Sequence, residues 1–140
     1  VPPTAKPVET LDYGIVVIKQ VMENSGWKFD AFNSKSPDQT ITARFQDASF
    51  KLITVDGNIS QVEVACDAKK YIDDKSYRGG FTAAEVSIWK TMFPTAFGAE
   101  EDVTLFKQFT GSADAEASKI IEGKIVGYSL AGGKLFFKVK

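Results

Sequence analysis

The chain of 140 residues contains no histidine and a single cysteine, Cys66. These two shortages exclude more chemistry than any other feature of the sequence. No internal disulfide can form, and the familiar zinc sites of cysteine and histidine cannot be built. A serine or cysteine nucleophile would lack the imidazole that usually serves as its base. Cys66 follows Val62 and Val64 at alternate positions of a strand-like run, the place of a small buried hydrophobe rather than of a reactive thiolate. Ser87-Ile88-Trp89-Lys90 matches a Ser-x-x-Lys spacing, but it stands in the middle of a helical pattern without companion motifs.

Long apolar runs are also lacking. Ile15-Val16-Val17-Ile18 is the longest within the first helical pattern, far short of the roughly 18 residues that mark a membrane span. Charge of one sign is scarce: seventeen Lys and Arg stand against eighteen Asp and Glu, with no basic run longer than Lys69-Lys70. Nucleic-acid binding through phosphate contacts is therefore not expected. The acidic groups Glu100-Glu101-Asp102 and Asp73-Asp74 do not follow the alternating spacing of a calcium loop. No metal, no cofactor and no catalytic residue is expected from these patterns. Gly79-Gly80 precedes a helix but lacks the strand and fingerprint of a phosphate cradle.

What is abundant is phenylalanine, eleven in all. So many large rings in a short chain imply a bulky core or an aromatic surface. Residues 1–9 carry three prolines in the first seven positions and read as an extended tether. Such a segment suits an exported or membrane-tethered protein. Residues 10–140 read as one domain.

Leu11, Ile15, Ile18 and Met22 recur at helical spacing between Thr10, an expected cap, and Gly26, an expected stop. From Trp27 the period changes to two. Residues 27–31 and 40–46 alternate as strands, and Asp56-Gly57-Asn58 joins two more in the strongest hairpin signal of the chain. Residues 69–80 break the periodicity and read as a long polar loop. Thr82 and Glu85 form a capping box, stapled by Phe81 and Val86, for a helix ended by Pro94. Further helices are expected over residues 99–109 and from Ser112 or Asp114 to Glu122, followed by a hairpin of residues 124–130 and 134–140. The fold class is thus α+β: an N-terminal helix, a four-stranded antiparallel meander, two to three helices, and a C-terminal β-hairpin joining the same sheet.

Two functional surfaces suggest themselves. The first is the expected loop, where Tyr71, Asp73, Asp74, Tyr77 and Arg78 combine residue types common at recognition sites. It fits a non-catalytic module that contacts a protein or cell-envelope partner. The second is an apolar pocket between sheet and helix lined by Trp27, Phe29, Phe45 and Phe137, which would make the chain a small-ligand carrier or an atypical enzyme.

Overall fold

The computed structural model describes residues 11–93 and 115–140. Their order is α1 (Tyr13–Asn24), β1 (Lys28–Phe29), β2 (Gln39–Phe45), β3 (Ala48–Val55), β4 (Asn58–Asp67), α2 (Ala68–Asp73), α3 (Lys75–Met92), β5 (Ala115–Ile121), β6 (Lys124–Ala131) and β7 (Lys134–Val139). Among the described residues the seven strands form one antiparallel sheet in the order β1-β2-β3-β4-β7-β6-β5. The sheet is an open one, and β4 lies at its centre. The α+β class, the opening meander and the C-terminal hairpin within the same sheet are as the sequence predicts.

Hairpin geometry fixes the register. The two central residues of three turns, Asp56-Gly57, Glu122-Gly123 and Gly132-Gly133, all take positive φ, which matches the right-handed twist of the strands they join. Once register is set, alternation sends one set of side chains to each face. Phe50, Leu52, Val62, Val64, Val126, Tyr128, Leu135, Phe137 and Val139 are all buried on one face. That face is covered by α1 and α3.

Helix α1 starts two residues later than a cap at Thr10 would give. Asp12 is its cap, accepting from the Gly14 amide at 2.9 Å, while the Asp12 amide donates to the Gly57 carbonyl at 2.8 Å and ties the helix start to the β3–β4 turn. The start of α1 meets the end of α3, where a Cβ on Gly14 would lie 2.4 Å from Thr91 Cγ2. The exit of α1 meets the beginning of α3, so the two helices run antiparallel. There Trp27 Nε1 donates to the Gly80 carbonyl at 2.8 Å, and the Phe45 ring fills the space where a Gly80 side chain would be, within 2.3 Å of its ideal Cβ.

Three expectations are corrected. The expected loop of residues 69–80 is helical, because Asp74 caps α3 eight residues upstream of the Thr82 capping box, accepting from the amides of Ser76 and Tyr77 at 3.0 and 3.2 Å. The glycine pair that reads as a breaker lies inside α3, kept helical by the packing at Gly80. The expected short helix ending at Glu122 is strand β5, paired along its length with β6; the sheet partner outweighs local propensity. The expected strand of residues 27–31 shrinks to the two residues of β1. The helix expected over residues 99–109 lies outside the described residues, as does the tether of residues 1–9.

The two neighbouring glycines of α3 differ sharply. Nothing lies within 4 Å of a Cβ on Gly79, so Gly79→Ala should raise stability by about 0.5–1 kcal/mol through helix propensity. Gly80→Ala must displace Phe45 and should cost about 1–3 kcal/mol. Denaturant titration of the two variants checks this pair of opposite signs.

Candidate functional site

The residues expected to form a contact loop are folded into the joint between α2 and α3. Tyr77 is fully buried; its hydroxyl donates to Asp47 Oδ1 and accepts from the Asp67 amide at 3.0 Å. Burial, with the hydrogen bond to Asp47 second, raises its pKa well above the ordinary phenol range. Arg78 donates to the carbonyls of Tyr71 and Ile72, both at 2.9 Å, and so satisfies the C-terminal end of α2. Asp74 is the cap already described. Asp73 is exposed and pairs with Lys69 at 3.7 Å. Tyr71 is half-buried, its ring set edge-on to Phe81 at 5.5 Å. This segment holds two helices together and offers little free aromatic surface.

The expected pocket residues are not gathered around a cavity. Trp27 and Phe137 are buried in the core, Trp27 against Phe45 at 5.7 Å and Phe137 against Tyr128 at 4.9 Å. Phe29 and Phe45 are half-buried. Phe29 borders a shallow surface depression beside β1.

Sequence reasoning missed a polar cluster inside the joint of helix and sheet. Glu85, on α3, accepts a hydrogen bond from the Tyr128 hydroxyl on β6. Burial pushes its carboxyl up to about 8 from an ordinary 4.5. Tyr71, bonded to Thr82, is pushed up to about 12 by burial and then by Glu85. Cys66, on β4, is likewise pushed to about 12 by burial and then by Asp47, Asp67 and Glu85. A thiol so held is protonated at neutral pH and a poor nucleophile. Glu85 could lend a proton near neutrality, but neither Glu85 nor Cys66 lines the four shallow concavities at Lys51, Gly127, Arg44 and Asn58. Among the described residues no group of three or more acidic, cysteine or histidine side chains gathers as a metal site, and no helix is long and apolar enough to cross a membrane.

Three of these concavities lie along the second face of the sheet. One, of about 380 Å³, holds Lys28 and Arg44 at the β1–β2 edge. A second, of about 60 Å³, is lined by Lys51, Glu63 and Lys138. The third, of about 220 Å³, crosses β5 and β6 over Gly127, where a Cβ would lie 2.7 Å from that of Ser118. The face is solvent-exposed at Lys28, Arg44, Ser49, Lys51, Gln61 and Ile125. Strand alternation already places Arg44 on a wet face; only pairing shows that Lys28 lies directly opposite it.

No protein-family profile, curated protein or solved structure matches the chain.

The raised Glu85 pKa fixes the sign of a pH dependence. The folded chain holds this proton more tightly than the unfolded chain, so the stabilisation is complete below about pH 4.5 and is lost as pH rises through about 8. Folding stability should fall between pH 5 and pH 9 by an amount on the order of a few kcal/mol, read as a lower midpoint of thermal unfolding at the higher pH. Glu85→Gln, which stays neutral, should flatten that profile and be the more stable form at pH 9. Equal slopes for the two proteins would contradict the assignment.

Proposed function

We propose that this chain is a non-catalytic recognition module that receives a protein or cell-envelope partner on the uncovered face of its sheet, the face that no helix among the described residues covers. The observation that carries this reading is the asymmetry of the sheet. One face is sealed by α1 and α3 over a packed aromatic core, while the other presents three shallow concavities and exposed cations to solvent. A broad, shallow, partly charged surface supported by a rigid layer suits a macromolecular contact better than a small ligand, which favours a deep and enclosed site.

Site-specific photo-crosslinking in the cells that make the protein tests the reading. A benzophenone side chain at Ser49 or Gln61, both exposed on the uncovered face, should give a discrete adduct. The same group at Gln20, exposed on α1, should not. Adducts from Gln20 alone, or from all three positions alike, would defeat it.

A further inference from the structure

We propose that the occupant of the uncovered face is an extended acidic polypeptide segment laid across the strands, over Lys28, Arg44, Lys51 and Lys138. This rests on the recognition reading above and names the chemistry of the partner.

The placement begins with an unfavourable pair. Lys28 and Arg44 are directly opposite in the β1–β2 ladder and share the uncovered face, an arrangement that disfavours the sheet because like charges face each other. No ion pair among the described residues engages either of them, or Lys51. Lys51 is opposite Thr42 on one side and Glu63 on the other, and Glu63 is opposite Lys138. The cations therefore step from β1 through β2 and β3 to β7. Neighbouring strands stand about 4.8 Å apart, so the track covers roughly 19 Å. An extended peptide of roughly six residues spans that length.

The rest of the face selects among anions. Lys138 pairs with Glu63 at 3.5 Å and rests on the Phe136 ring at 4.9 Å. Asp30 accepts from Thr42 at the rim, and Glu116 stands at the far side of the sheet. Carboxylates thus interrupt the cations. A nucleic acid carries a charge about every 3.4 Å along each strand and would meet these carboxylates with its phosphates. A polypeptide can place its acidic side chains at the cations and small or apolar ones between them, where half-buried Ile53 lines the groove beside Lys51. A lipid surface is flat, and the cations here line depressions.

The test uses fluorescein-labelled deca-glutamate and the full chain, read by fluorescence anisotropy at low and at physiological salt. Saturable binding is expected, weakening with salt, and absent for labelled deca-glutamine. Arg44→Glu with Lys51→Glu should weaken it about tenfold or more. Lys69→Glu with Lys75→Glu, the same charge change on the exposed surface of α2 and α3, should leave a much smaller effect. Circular dichroism confirms that both variants are folded; if the first is not, Arg44→Gln with Lys51→Gln replaces it. Equal loss in both double variants, no binding of deca-glutamate, or tighter binding of an oligo-dT ten-mer or of phosphatidylglycerol vesicles would overturn the proposal. Should deca-glutamate fail while adducts persist at Ser49 and Gln61, the acidic occupant is wrong and the recognition face stands. Should those adducts also be missing, both fall.

Discussion

The hydrogen bond from the Trp27 indole to the Gly80 carbonyl, with the Phe45 ring pressed into the space beside it, is the contact on which the layering of the molecule depends. It joins the exit of α1, the end of β2 and the second turn of α3 at one point. A buried indole N–H without an acceptor would carry a desolvation cost of about 1–3 kcal/mol, and the Phe45 ring can lie against α3 there because residue 80 has no side chain. The aromatic chain then continues from Phe45 to Tyr77, at 6.0 Å, and through the Tyr77 hydroxyl to the β2–β3 turn and the end of β4. One close approach thus aligns α3 along the sheet and seals the inner face.

Sealing one face leaves the other to water and gives the two faces different chemistry. Among the described residues the inner side takes Trp27, Phe50, Tyr77, Phe81, Trp89, Tyr128 and Phe137. The one carboxyl drawn under α3, Glu85, meets a tyrosine hydroxyl and tends to keep its proton, which spares the joint an uncompensated charge. The outer face takes Lys28, Arg44, Lys51 and Lys138, and its unfavourable Lys28–Arg44 pair is tolerated where both side chains reach solvent.

The sequence is legible where local signals and tertiary needs coincide. The α1 period, the Asp-Gly turn and the closing hairpin each point to the element that forms. It is misleading where a neighbour overrides local chemistry. Gly79 and Gly80 argue against a helix until Phe45 is seen to require Gly80, and Thr82 with Glu85 imitates a helix start because the true cap, Asp74, lies in a stretch that otherwise reads as polar loop. The candidate surface was hidden for a different reason. Arg44 and Lys51 can each be assigned to a wet strand face from alternation alone, but their common track with Lys28 and Lys138 exists only through strand order, and β7 beside β4 is a non-local pairing. The aromatics of the joint, Tyr77 above all, read as recognition residues by type and are structural by position.

The paired positive-φ residues at three of the turns have a further consequence. Each turn is two residues long, and alternation has a period of two. Loss or gain of a single residue at Asp56-Gly57 or Gly132-Gly133 would shift parity along the following strand, turning lysines toward α3 and phenylalanines toward water. Changes in pairs, by contrast, preserve which side each residue serves. The lengths of these small turns thereby set the boundary between the part of the molecule that holds it together and the part free to vary with whatever it meets.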